Sequence, residues 1–548
     1  STTTELYMLS DSLGSDENSW TNGPLLPRGF INGCQINSEI NNLVLISGFD
    51  ESNKLRHDIM KYNTSSGEFE IMPSNLITLL GNALTTTRGN EVERATNKPI
   101  IEKKINFFGD LLNIHRLNNL RYPYLLQSSA QGNSLCRYDI LFAFPQKEII
   151  LNYEDINKIK NNFLNNLDCE WKKEKINYGN KIKNKYPFYG GWFVYLGYEL
   201  ISQIEAKILP HKHKYNFPVA LASRIPAAVI KDNFNQEAYI VCEKKYEKFV
   251  KKIEKDVITA NKKSKEKTIK NKILLNSLKE EIPQKHINNI KKILEYIKSG
   301  DVFQVNLSRE WHGKINKKYK ASDIFAKLKK TNPSPFAGLA VFKDKAIISS
   351  SPERLIMVKD GYLETRPIAG TRKRGGSGIY DLALSKDLLD NQKERAEHIM
   401  LVDLERNDLS KVTVKGTVKV NESMIVESYT HVHHIVSNIK GKIKKGISPG
   451  NIIKAVFPGG TITGCPKIRC MEILSEIEQT GRGPYTGSMG YINNDGTMDL
   501  NILIRTIVQY KNNVSIRAGG GIVADSLPKR ELEETRAKAK GMIDALIF

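Results

Sequence analysis

The stretch "NILIRTIVQYKNNVSIRAGGGIVADS" (residues 501–526) decides the fold. Its two apolar runs, "NILIRTIVQY" and "VSIRAGGGIV", have the β-branched, turn-bounded character of strands. The second carries three consecutive glycines, Gly519, Gly520 and Gly521. Without side chains there, backbone N–H groups can approach an anion closely. The triplet does not open a helix as G-x-G-x-x-G, so a dinucleotide site is not expected. A G-x-x-x-x-G-K-[ST] phosphate loop is absent too.

Two acidic helices flank this run in sequence. "KRELEETRAKAKGMIDAL" (529–546) puts Glu531 and Glu534 three residues apart, on one face, with Lys538 four residues after Glu534. "KERAEHIMLVDLERNDL" (393–409) does the same with Glu394 and Glu397. Two such faces suit Mg²⁺, which takes a few carboxylates, retained waters and an anionic ligand. Either pair alone is equally consistent with a solvated helix face.

Further out, "FPGGTITGCPK" (457–467) supplies a glycine turn with hydroxyls at Thr461 and Thr463. "PKIRCMEILSEIEQTGRG" predicts a helix with Pro466 near its start and Ile468, Met471, Leu474 and Ile477 on its apolar face. In "HVHHIVS" (431–437), a strand would put His431 and His433 on one face and His434 on the other, a poor metal set. One polar histidine in a site fits better than a zinc centre.

The 548 residues allow more than one core. No run of 18 or more apolar residues marks a membrane span. The first residues lack the basic and apolar regions of a signal peptide. Six scattered cysteines complete no zinc pattern and fit a reduced, cytoplasmic setting. The net charge of +22 comes mostly from lysines mixed with asparagine and isoleucine, with no nucleic-acid motif beside them, so no nucleic-acid partner is expected.

Charge also divides the chain. Residues 1–95 hold 6 Lys/Arg against 12 Asp/Glu, whereas the whole chain holds 82 against 60. A sign reversal suggests segments of different origin. The expected organisation is a first segment at 1–95, a mixed region at 96–242, a polar helical or mobile connector at 243–285, and a catalytic region at 286–548. "LVLISGFDESNKLRHDIMKYNTSSGEFEIMPSNL" (43–76) predicts three short strands, and with residues 19–36 it resembles kelch repeats through Trp20, Gly48, Tyr62 and Phe69. That is about one and a half blades, too few to close a propeller. A poorly packed, all-β fragment is expected.

The ordered blocks "SPERL", "RPIAGTRKRG", "KERAEHIMLVDLERNDL", "HVHHIVS", "FPGGTITGCPK", "GPYTGSMGY", "LNILIRT", "AGGGIVADS" and "ELEET" together resemble the chorismate-utilising synthase family. Its members include the large subunits of anthranilate synthase and of 4-amino-4-deoxychorismate synthase. The resemblance implies an α/β (α+β) fold, with two layered antiparallel sheets and outer helices. It implies that Glu397 and Glu534 hold Mg²⁺, which holds the ring carboxylate of chorismate. Tyr485, Arg505, Gly519, Gly520 and Gly521 match carboxylate contacts, with Lys538 beside them. Ala369, Gly370 and Thr371 match the strand facing the ring. Glu394 matches the acid for the leaving hydroxyl, and His434 and Thr461 match groups beside the attacked carbon. A hydroxyl leaves poorly without a proton, so such an acid is required. The chain has no G-x-C-x-G elbow, so ammonia is expected from a glutamine amidotransferase partner.

The two sister activities are divided by small differences. Ala369 stands where many aminodeoxychorismate synthases carry a nucleophilic lysine. "FQVNLSRE", "GGTITGCPK", "PFAGLA" (335–340) and "YLLQSS" (124–129) instead depart from the tryptophan-regulated anthranilate synthase pattern. Together they favour 4-amino-4-deoxychorismate over anthranilate. An isochorismate-type reaction would need a lysine base in "FQVNLSRE", where none stands. A different class of function, partner recruitment by residues 1–95 with an inert synthase region, is disfavoured by the intact set Glu394, Glu397, His434, Arg505 and Glu534.

Overall fold

The computed structural model describes residues 99–129, 136–158, 162–263, 275–373, 390–428 and 432–547, together with six strands between residues 7 and 71. The chain forms two compact units, Ser1–Asn97 and Lys98–Phe548. In the first, Ile31–Ile40, Leu43–Phe49, Leu55–Asn63 and Glu68–Ile71 form an antiparallel meander, with Tyr62 opposite Phe69. Side-chain packing there lies outside the described residues.

The second unit is built on two large sheets, of twelve and ten strands among the described residues. Neighbouring strands in both run antiparallel, as in Gln304–Ile315 against Asn513–Ile522 and Gly191–Leu196 against Ser488–Asn493. The alternation of side chains explains the layering. From Tyr138–Ala143, Ile140 and Phe142 enter a core between the sheets, where Phe193 and Tyr195 arrive from the other sheet. The Tyr124 and Phe193 rings stack there with centroids 3.9 Å apart. Leu141 and Ala143 point the other way, into a core shared with the helices Lys248–Lys263, Ala321–Thr331 and Pro528–Ile547. On the far side, Trp192, Val194 and Leu196 pack against the helices Phe163–Lys173 and Pro449–Val456. Both sheets are therefore covered on both faces, as the expected fold required.

Three expectations are corrected or sharpened. The segment 243–285, expected as a helical or mobile connector, is helical and packed over Lys248–Lys263, while residues 264–274 lie outside the described residues. Val250, Ile253, Val257 and Ala260 of Lys248–Lys263 are buried in the helix-side core, and Leu275–Glu280 pairs with Gln304–Ile315. A lysine-rich composition hid an apolar stripe at helical spacing. The helix Lys467–Glu478 buries Met471, Leu474 and Ile477 as expected, but Ile468 is 46% exposed, and Cys470 and Ile473 complete the inner face.

The third concerns the run 501–510, which is not one strand. Met498–Asn501 belongs to the ten-stranded sheet and Thr506–Tyr510 to the twelve-stranded one. The chain crosses between the sheets at Ile502–Arg505, and Arg505 takes a positive φ of 52°. A second crossing joins Lys345–Ser351 of the twelve-stranded sheet to Arg354–Lys359 of the other, with Glu353 in the passage. The two crossings meet, since Ile502 N donates to Glu353 O at 3.0 Å. No described helix is long and apolar enough to cross a membrane.

Candidate active site

The glycine strand and the two acidic helices converge. Gly519, Gly520 and Gly521 lie on Asn513–Ile522, opposite Ser308, Leu307 and Asn306. A Cβ on Gly520 would stand 3.5 Å from Glu531 Oε2, 3.6 Å from Glu534 Oε1 and 3.7 Å from Lys538 Nζ. A Cβ on Gly519 would stand 2.4 Å from Leu307 O and 2.7 Å from Tyr485 Oη, so only glycine fits there. Gly521 is crowded by the Gln304 amide, whose Nε2 donates to Glu397 Oε1 at 2.9 Å. The helix Gln392–Ser410 is capped by Asn391, which accepts from Glu394 N at 3.1 Å and sets the first turn carrying Glu394 and Glu397.

Charges in this cluster are mismatched. Burial raises the Glu397 pKa, and Glu394 and Glu534 raise it further, against Gln304 and Lys538. Lys538 Nζ pairs with Glu534 Oε1 at 2.6 Å and donates to Gly519 O at 3.1 Å. The same ammonium also acts on Glu397. Among the described residues no three His, Cys, Asp or Glu side chains converge as a ready-made cage. An open set of carboxylates beside bare backbone fits a hard cation that keeps waters and a substrate oxygen. Glu397 and Glu534 are the residues that would hold it.

Arg505 and Tyr485 face the same space. Arg505 Nη1 donates to Lys538 O at 2.6 Å. Burial lowers its pKa while Tyr485 and Glu534 oppose the drop. Burial pushes the Tyr485 phenol up to about 12, so it remains a donor.

Beneath Gly519 and Tyr485 lies a buried ion network. Glu478 Oε1 accepts from Ser308 N at 2.9 Å and from Arg482 Nη2 at 2.8 Å. Its Oε2 accepts from Arg482 Nε at 2.9 Å and from Arg517 Nη2 at 3.3 Å. Burial opposes ionisation here, but the two arginines override it and hold the carboxyl down at about 2. Arg482 also donates to Asn306 O at 2.8 Å, and Asn306 Nδ2 donates to Thr461 O at 3.2 Å. The network so joins the glycine strand to the Gly460–Ile462 turn.

Thr461 leads to a residue that the sequence reading did not single out. Glu353, 5% exposed, stands beside the Thr461 hydroxyl and the Ile368 N–H. Burial pushes its carboxyl up to about 8, with Thr461 opposing and Glu405 adding to the rise. At neutral pH it therefore keeps its proton. Ile368 begins the strand Ile368–Lys373, in which Ala369 pairs with Ile435 and Thr371 with His434. Gly370, at φ 68°, forms the bulge between them. Ala369 and Thr371 are placed by backbone alone, while His434 is buried. His431 lies outside the described residues. The structure thus gathers Glu394, Glu397, Glu534, Lys538, Tyr485, Arg505 and Gly519–Gly521 at one end, links Thr461 to them, and sets Ala369 and His434 on paired strands next to it. Gln304, Asn306 and Glu353 were missed, although each lies in a quoted block. Only three-dimensional contacts distinguish them.

A cavity of about 570 Å³ lies apart from this cluster. Gln127, Ser128, Phe336 and Ala337 line it. The Gln127 amide is engaged by Lys329, at 2.6 Å, and by Asp110 and Asp139.

Comparison with known proteins places the chain in a family. A family model described as chorismate binding enzyme matches residues 122–544. The anthranilate synthase component I-like protein of Synechocystis sp. is 40% identical over 385 residues, 70% of this chain and 78% of that protein. The aminodeoxychorismate synthase component 1 of Bacillus subtilis is 50% identical over 257 residues, 47% of this chain and 54% of that protein. The crystal structure of anthranilate synthase component I from Streptococcus pneumoniae TIGR4 matches with a TM-score of 0.65 at 30% identity, over 75% of this chain and 93% of that one. This chain belongs to the chorismate-binding enzyme family.

Proposed function

We propose that the chain aminates chorismate at the carbon bearing its hydroxyl, forming 4-amino-4-deoxychorismate and water from ammonia. The single observation that carries an amination is the pairing of a carboxylate-binding end with a protonated acid. Arg505, Tyr485 and the Gly519–Gly521 backbone supply a guanidinium, a phenol and open N–H groups, the donors that a dianion needs. Glu397 and Glu534 would hold Mg²⁺, which supplies charge neutralisation for the ring carboxylate when bound.

The leaving hydroxyl requires a proton. Glu353 already carries one at neutral pH, because burial disfavours its ionised form. It is the better candidate for that acid than Glu394, which lies among the carboxylates of the cation cluster. In the step, ammonia's lone pair forms the C–N bond as the C–O bond breaks. The Glu353 proton passes to the departing oxygen, which leaves as water. The resulting ammonium then loses a proton and restores the acid. Thr461 borders that acid, and His434 lies on the strand paired with Ile368–Lys373.

The half-length identity to an aminodeoxychorismate synthase and the "FQVNLSRE" block support the 4-amino product. The second reading is anthranilate with loss of pyruvate, favoured by Ala369 and by the longer likeness to the anthranilate synthase component I-like protein. Ammonia would come from a glutamine amidotransferase subunit, in keeping with the component naming of these relatives. Chorismate loss, followed with ammonium and Mg²⁺, tests the reading. Turnover that disappears in Arg505→Ala and Glu397→Gln supports it; unchanged chorismate with the native chain contradicts it.

A further inference from the structure

Glu405 lies on the helix Gln392–Ser410, two turns beyond Glu397, and has no part in the chemistry above. It is buried, yet it is richly engaged. Its Oε1 accepts from Gly460 N at 3.0 Å and its Oε2 from Thr365 Oγ1 at 3.3 Å. A Cβ on Gly460 would stand 2.6 Å from Leu404 Cδ2 and 3.1 Å from Glu405 Oε1, so the turn backbone rests directly on the helix. Lys467, at the start of the helix Lys467–Glu478, faces Glu405, pairs with Asp408 and donates to Pro458 O at 2.8 Å. The residue after Gly460 is Thr461, beside Glu353.

The two buried carboxyls are unequal. Burial pushes the Glu405 carboxyl up as well, to about 7, and Asp408 adds to the rise, but Lys467, the Gly460 N–H and the Thr365 hydroxyl oppose it and hold it below Glu353. The neighbours acting on Glu353 are the Thr461 hydroxyl, the Ile368 N–H and the Glu405 carboxyl itself. When two buried carboxyls share a site, the one with the nearby cation and more donors ionises first, and its charge holds the proton on the other.

We propose that Glu405 is a positioning residue for the acid: it clamps the turn that sets Thr461 against Glu353, and as the first of the pair to ionise it keeps the proton on Glu353. The proposal rests on the reading of Glu353 as the acid. It explains why a carboxylate is retained in the interior, where an apolar side chain would pack without desolvation cost.

The test reads the protonation of Glu353 directly. Infrared pH-difference spectra of the full chain show protonated carboxyl bands, and Glu353→Gln identifies the one that belongs to Glu353. In Glu405→Gln, which keeps the shape and removes the charge, that band titrates at least about one pH unit lower. The alkaline limb of kcat moves with it. Glu405→Asp keeps the charge but withdraws from Gly460, so the band stays while kcat falls by about tenfold or more. By reciprocity, the Glu405 band in Glu353→Gln also titrates lower, which serves if Glu405→Gln does not fold. A Glu353 band that titrates unchanged in Glu405→Gln overturns the proposal. If Glu353 is not the acid, Glu353→Gln turns over normally while the bands still shift, so the two failures are distinct.

Discussion

Glu478 and Glu353 are each 5% exposed and flank the same site, yet they end in opposite charge states. Burial pushes both carboxyls toward the neutral form. At Glu478 the guanidinium groups of Arg482 and Arg517 reverse that push and hold it at about 2. At Glu353 the neighbours are neutral donors and another carboxyl, and it rises to about 8. The first is a fixed anion that ties the glycine strand to the Thr461 turn. The second is a stored proton at the crossing between the sheets. Partner charge, not depth, sets what a buried glutamate does.

The largest difference follows from removing each. Glu478→Gln leaves two buried arginines without their anion and is expected to cost about 3–5 kcal/mol, measured by urea denaturation at pH 7. Glu353→Gln replaces a neutral acid with a neutral amide and is expected to cost about 1 kcal/mol or less. Equal costs would break the comparison. Activity is expected to reverse the order for folded protein, with Glu353→Gln lowering kcat by about 10²–10⁴-fold.

The pH dependence of stability sharpens it further. The folded pKa of Glu478 lies below its ordinary 4.5, so its contribution is present above that value and lost as pH falls towards about 2. The folded pKa of Glu353 lies above 4.5, so its contribution is present below that value and lost as pH rises towards about 8. Urea midpoints across pH are expected to flatten on the acid side in Glu478→Gln and between about pH 5 and 8 in Glu353→Gln. The smallest expected effect is on the cation. Because Glu397 is raised, Mg²⁺ binding measured by calorimetry should weaken as pH falls, and Glu397→Gln should remove that dependence.

Much of this site was legible because its signals are local. Glu394 with Glu397, Glu531 with Glu534 and Lys538, and Gly519–Gly521 are each patterns within one element, and folding brings their faces together. Glu353 and Glu405 carry no such mark. Their roles come from burial and from Thr461, Thr365 and Gly460, contributed by other elements. The sheet crossing at Ile502–Arg505 was hidden for a related reason. An apolar run has the same composition whether it continues in one sheet or passes to another. The helix Lys248–Lys263 shows the converse, since its lysines outnumber the buried side chains that pack it.

The central claim is amination of chorismate at its hydroxyl-bearing carbon. The most direct test incubates the purified chain with chorismate, Mg²⁺ and ammonium, with and without aminodeoxychorismate lyase, and separates the products by mass-resolved chromatography. p-Aminobenzoate is expected only when the lyase is present. Anthranilate and pyruvate formed without the lyase would contradict it.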